Sequence, residues 1–150
     1  LGAPFWDMYA RGAILGITQG VTDKHIVKAT LESIAYRTKD VLDAMSKDSG
    51  IELTELNVDG GASANDYLMQ FQADILNTSV TRPEIIETTA MGVAALAGLA
   101  VGLWSMSDLD MMRKTEKLFV PKMTDIERDK KYKGWLKAIQ RSGNWILEED

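Results

Sequence analysis

The chain has 150 residues, 45% hydrophobic and 26% charged, the profile of one ordinary globular domain with enough apolar side chains to bury a core. Its net charge is −5 with the acids scattered, and a broadly acidic surface repels phosphate backbones, which argues against a nucleic-acid partner. There is no cysteine, so disulfides, thiolate metal sites and thiol catalysis are excluded, and a cytosolic location is the simplest reading.

The opening, LGAPFWDMYARG, carries no initiator Met, basic leader or signal-type apolar run, and reads as a piece of a longer chain. Residues 12–20, GAILGITQG, set Ile14 and Ile17 among small residues and predict a strand pair or a strand and turn. Residues 22–47 carry the longest helical pattern. Val27, Leu31, Ile34, Ala35, Thr38, Val41, Leu42 and Met45 recur on one face, with Glu32, Arg37, Lys39 and Asp43 opposite. Thr22 or Asp23 can cap its start, and Ser49-Gly50 ends it.

A strand is predicted over residues 53–59, followed by Gly60-Gly61 and a second helix with Leu68, Phe71 and Ile75 on its apolar face. Ser63 and Asp66 have the spacing of a capping box, and Asn77 closes the helix. Residues 79–82 predict a short strand stopped by Pro83.

Residues 90–104, AMGVAALAGLAVGLW, lack any charge. The run is shorter than the roughly 20 residues a membrane span needs, so it predicts a buried core helix capped by Thr88 or Thr89. Gly98 and Gly102 make a GxxxG that permits close backbone approach. Ser107 can cap a short helix ending at Met112. A last helix is predicted over residues 124–146, with Tyr132, Trp135, Leu136, Ile139 and Ile146 on one face. Strands alternating with helices predict an α/β layer structure with some parallel pairing.

The glycine pair is the candidate site. A strand that turns through Gly-Gly directly into a helix leaves backbone N–H groups uncovered where a ligand can approach closely. The pattern is neither a Walker loop nor GxGxxG, and a tight strand-to-helix turn uses glycine for its own reasons. Taken alone, the pair is equally a turn or a nucleotide seat. The lone His25 reads as solvated polar surface, the four Trp residues as core and interface anchors, and the eight Met residues as gap-fillers. Asp7 and Arg11 are assigned no role.

The surroundings of the glycines carry more. Residues 12–35, GAILGITQGVTDKHIVKATLESIA, resemble the second signature of the FGGY carbohydrate kinases: Gly12, Ile14, Gly16 and Ile17, then His25 and Ile26, then Ala29, Thr30, Leu31 and Glu32. Within that family, LGAPFWD and VDGGASAND are most similar to the members that phosphorylate glycerol. The resemblance continues through RPEIIETTAMGVAALAGLAVGLW and YKGWLKAI, so it covers essentially the whole chain.

That resemblance implies an α/β fold, a ribonuclease-H-like (actin-like ATPase) domain with a mixed sheet flanked by helices. It implies that residues 1–150 are the C-terminal, nucleotide-binding half of a two-domain kinase. ATP would lie against Gly60 and Gly61, and Asn65 would reach the adenine, an amide being able both to donate and to accept. Mg²⁺ is implied by the chemistry, with no ligand identified in this chain. The catalytic aspartate and most glycerol contacts would lie in the N-terminal domain, so no catalytic residue is assigned here and the chain alone is expected to be inactive. The long helix, through Lys24, Lys28, Tyr36 and Arg37, would face another subunit of a homo-oligomer. Two alternatives remain at this point: another kinase of the family, of xylulose or gluconate type, or an actin- or chaperone-like ATPase half used for conformational signalling.

Overall fold

The computed structural model describes residues 1–112 and 114–146. Three strands form one mixed sheet in the order β1-β2-β3. Strand β1 (Glu55–Asn57) runs parallel to β2 (Ser79–Pro83), with Leu56 opposite Val80, and β2 runs antiparallel to β3 (Thr115–Phe119), with Val80 opposite Phe119. Strand β1 is shorter than its alternating pattern predicts. Strand β2 ends where expected, because Pro83 has no N–H with which to continue the ladder. Strand β3 was not predicted: TEKLF is charged, and only Phe119 is buried, so no period-2 burial signal exists to be read.

Alternation along β2 decides what lies on each face of the sheet. Val80 and Arg82 are buried, and Val80 joins a core with Phe119 and with Leu68, Phe71, Ala73 and Ile75 of helix α2 (Asp66–Leu76). Helix α1 (Asp23–Ser49) adds Ala35 and Tyr36 to that core. Its C-terminus is closed as expected by Gly50, left-handed at φ 71°, whose N–H donates to the Ser46 carbonyl at 2.9 Å. The buried stripe of α1 is narrower than predicted, and Val27, Ile34 and Met45 are exposed.

A buried carboxylate fastens α1 to helix α5 (Asp125–Ser142). Asp40 accepts from the Tyr132 hydroxyl at 2.8 Å, the Trp135 indole N–H at 2.9 Å and Arg37 at 3.3 Å. Tyr36 stacks on Trp135 with ring centroids 5.3 Å apart. Helix α5 is closed at its start by a capping box between Thr124 and Glu127. Of its predicted face, Tyr132, Trp135 and Ile139 pack inward, Leu136 is exposed, and Ile146 lies beyond the helix.

Several expectations fail. Residues 12–18 form no strand; they are exposed throughout. A strand needs a neighbour to take its N–H and C=O groups, and this segment pairs with none of the described strands. The small-residue segment does form a helix, α3 (Thr88–Ala100), but not a core helix: Val93 and Leu96 are 66% and 70% exposed, and only Gly98 is buried. A helix apolar all round needs cover on every side, and this chain supplies it on one. Gly98 is covered by the chain's own Trp104. A Cβ there would stand 2.1 Å from the indole ring, whose N–H donates to the Ala95 carbonyl at 2.9 Å. Gly102, at φ 71°, ends the helix, with Leu103 N–H donating back to Gly98 at 2.8 Å. The GxxxG thus serves one helix end, not a helix pair. The following helix, α4 (Met106–Met112), is capped by Ser105, not Ser107: Ser105 N–H donates to the Asp108 carboxylate at 2.8 Å. Among the described residues no helix is long and apolar enough to cross a membrane.

Candidate functional site

The turn after β1 is built from four local decisions. Gly60 sits at φ 75°, ψ 171°, a region that residues with a Cβ enter only under strain, so the chain requires glycine there. Its N–H donates to the Ile86 carbonyl at 2.7 Å, tying the turn to the loop before α3. The Thr88 hydroxyl donates to the Asp59 carboxylate and ties it a second time. Residues Gly61–Ala64 then form a single 3₁₀ turn, and Asn65 opens α2.

Gly61 is a different kind of glycine. Its φ is not positive, and a Cβ added to it would meet nothing within 4 Å. Neither the backbone nor the packing of this chain demands glycine at that position. The N–H groups of Gly61 and Ala62 also find no protein acceptor among the described residues. Two exposed donors beside an unobstructed Cα are what a closely approaching ligand would use.

Asn65 is the N-cap of α2, just ahead of its first turn. Its Oδ1 accepts from the Leu68 N–H at 3.0 Å, and its own carbonyl accepts from Met69 N–H at 3.0 Å. The side-chain acceptor is therefore committed to the helix, which leaves the Nδ2 amide as the donor available to a ligand. The Ser63–Asp66 capping box read from the sequence does not form. The Ser63 hydroxyl donates instead to the Gly60 carbonyl at 2.7 Å, and Asp66 turns to Lys117 at 2.5 Å and Arg82 at 2.9 Å. Those cations, Lys117 first, hold the Asp66 carboxyl below the ordinary carboxylate range.

Gly60, Gly61 and Asn65 thus come together on one exposed turn. Sequence reasoning missed Arg82 and Glu116 beneath it, which carry no motif, and read Ser63 as a cap; their roles depend on pairing that local patterns do not encode. On the other face of the sheet, Asn57, Asp59, Thr81, Thr88, Met91 and Lys114 help to line a cavity of about 490 Å³ below α3. Among the described residues no three His, Asp or Glu side chains gather as a metal site would require, so no step is assigned to a magnesium ion held by this chain.

A mixed sheet flanked by helices, with a glycine turn leading into a core-packed helix, makes this an α/β domain, and its likeness to solved kinases makes it one of the ribonuclease-H-like, actin-like ATPase kind. The comparisons with known proteins narrow the class. The model of the FGGY family of carbohydrate kinases, C-terminal domain, matches residues 1–101. The chain belongs to that family, which removes the reading as a chaperone-like ATPase half.

Among curated relatives, the glycerol kinase of Fusobacterium nucleatum is 62% identical over 146 residues, covering 97% of this chain and 29% of that protein. The glycerol kinase of Alkaliphilus metalliredigens is 58% identical over 151 residues, covering 100% of this chain and 30% of that protein. The chain therefore spans about 30% of the length of the curated relatives it matches. Among solved structures, Plasmodium falciparum glycerol kinase with ADP superimposes with a TM-score of 0.82 at 40% identity, over 93% of this chain and 28% of that one. A Lactobacillus acidophilus gluconate kinase superimposes with a TM-score of 0.72 at 22% identity, over 93% of this chain and 28% of that one, a likeness of fold alone.

Proposed function

We propose that residues 1–150 are the nucleotide-binding, C-terminal part of an ATP-dependent glycerol kinase, which moves the γ-phosphate of ATP to a hydroxyl of glycerol and gives glycerol 3-phosphate. The observation that carries this reading is the 62% identity to a glycerol kinase along nearly the whole chain. Among solved structures the identity is 40% to a glycerol kinase and 22% to a gluconate kinase, which favours glycerol over a sugar acid as the acceptor.

In this reading Gly61 and Ala62 present their N–H groups to the nucleotide, Gly60 shapes the turn, and the Nδ2 amide of Asn65 donates to the adenosine. Phosphoryl transfer depends on positioning and charge stabilisation from both sides of the γ-phosphate. The general base, the glycerol contacts and the ligands of Mg²⁺ are assigned to the remainder of the enzyme. A cytoplasmic location fits the cysteine-free composition. Of the four α1 residues expected to face a second subunit, Lys24 and Lys28 are exposed and available to one, whereas Tyr36 lies in the core and Arg37 pairs with Asp40.

Equilibrium dialysis of the purified chain against ADP and ATP, with a coupled assay for glycerol-dependent ATP consumption, tests the assignment. Saturable nucleotide binding without turnover is the expected result. Turnover by the chain alone would contradict the division of labour, and a folded chain that retains neither nucleotide would contradict the site.

A further inference from the structure

Arg82 lies in the central strand and is only 5% exposed. A buried guanidinium under a nucleotide turn invites a role as a phosphate ligand. Its donors are spent elsewhere. Nε and Nη2 donate to the two Glu116 carboxylate oxygens at 2.6 and 3.1 Å, and Nη2 lies 2.9 Å from Asp66 Oδ1. Nη1 donates to the Ser63 carbonyl at 2.7 Å, and the guanidinium stands 5.3 Å from the centroid of the Phe119 ring. Two carboxylates already face this one cation, so little of its field is left for a phosphate.

Glu116 reaches Arg82 because of a bulge. Arg82 is paired with Lys117 and Pro83 with Thr115, so Glu116 is the extra residue between them. In an unbroken ladder Glu116 would point to the face opposite Lys117. The bulge re-aims it, and both side chains serve the Arg82 side of the sheet. Lys117 in turn takes the other oxygen of Asp66, at 2.5 Å.

The remaining link leads to the glycines. Arg82 holds the carbonyl of Ser63, while the Ser63 hydroxyl and N–H both donate to the Gly60 carbonyl, at 2.7 and 3.0 Å. Ser63 is thereby gripped from below and grips Gly60 above. The segment between them holds the two N–H groups that find no protein acceptor.

We propose that Arg82 is a positioning residue for the nucleotide turn: it fixes the Gly60–Ser63 backbone through the Ser63 carbonyl and never touches the nucleotide, with Glu116 and the β3 bulge setting its orientation. This inference rests on reading the turn as an adenosine seat, but its structural half can be tested without nucleotide.

The test uses Arg82→Lys, which keeps the buried charge beside Asp66 and Glu116 and loses the fork that reaches Ser63. Amide hydrogen exchange and ADP affinity are measured on the 150-residue chain at a temperature where both proteins are folded. Exchange at Ser63 and Asn65 should quicken by roughly tenfold or more, the scale of one charge-assisted hydrogen bond, while Phe71 to Leu76 in α2 change much less. ADP affinity should fall by a similar factor. A folded Arg82→Lys with wild-type exchange at both amides overturns the proposal, and so does uniform acceleration across the chain. If Arg82→Lys does not fold, Ser63→Ala decides, because it removes the hydroxyl link to Gly60 and should produce the same local acceleration; unchanged exchange there also overturns it. A wild-type chain that binds no ADP defeats the functional reading, and the exchange data still decide the positioning role.

Discussion

The side-chain oxygen of Asn65 accepts the Leu68 N–H at 3.0 Å, so the residue expected to meet adenine is first a helix cap. The two duties separate by substitution. Asn65→Asp keeps the acceptor and should leave thermal stability nearly unchanged, while it removes the amide donor and places a negative charge near the nucleotide; ADP affinity should drop at least tenfold, about 1.4 kcal/mol, the scale of a lost charged-site hydrogen bond. Asn65→Ala loses both functions and should also cost about 1 kcal/mol in denaturant unfolding. Equal affinities for Asp and Asn would show that the amide does not serve the ligand.

The two glycines should respond in opposite ways. Gly60→Ala forces a Cβ into a glycine-only conformation and should destabilise by about 1–3 kcal/mol. Gly61→Ala meets open space in an ordinary conformation and should change stability by less than about 1 kcal/mol, yet weaken nucleotide binding. Urea melts and ADP titrations of both variants give four readings. A stability loss at Gly61 comparable with that at Gly60 would mean the second glycine, too, serves only the turn.

Much of this was legible in the sequence, and the boundary between legible and hidden is physical. Helix α2 and its closure at Asn77 follow from apolar spacing and one residue able to adopt φ 55°, both local properties. The start of β2 and its stop at Pro83 are local as well. Strand β3 and the Arg82–Glu116 pair were hidden, because an exposed charged strand acquires meaning only from the partner it pairs with and the bulge that aims it. Residues 12–18 read as a strand and α3 as a buried helix from their own composition, yet composition does not state which neighbour pairs with the one or covers the other. Asn65 was placed at the right turn but with its acceptor free, since the choice between Ser63 and Asn65 as cap depends on where the 3₁₀ turn ends.

Gln72 offers a prediction against intuition. It is 3% exposed, and among the described residues its amide nitrogen has no hydrogen-bond partner. A buried unsatisfied donor costs about 1–3 kcal/mol, so Gln72→Met, of similar length and apolar, should hold or raise the urea midpoint. A loss above about 1.5 kcal/mol would indicate a partner for the amide, such as a bound water.

Acid should loosen the underside of the turn. The Asp66 carboxyl is held below its ordinary pKa by Lys117 and Arg82, with Glu116 as the competing acid on Arg82. A depressed folded value means the stabilisation is complete above the ordinary carboxylate pKa, near 4, and is lost as pH falls through the depressed value. Asp66→Asn should therefore show a shallower decline of stability than wild type below about pH 4. Identical slopes would leave Asp66 without a part in acid unfolding.

The most direct test of the account is an ADP titration of the isotope-labelled chain, following the backbone amides of Gly60, Gly61 and Asn65 by NMR alongside the same titration of Gly61→Val. Saturable shifts centred on those three amides are expected, absent in a Gly61→Val protein that is otherwise folded. Shifts that persist unchanged in the variant, or a folded wild type whose three amides do not respond at any ADP concentration, would contradict it.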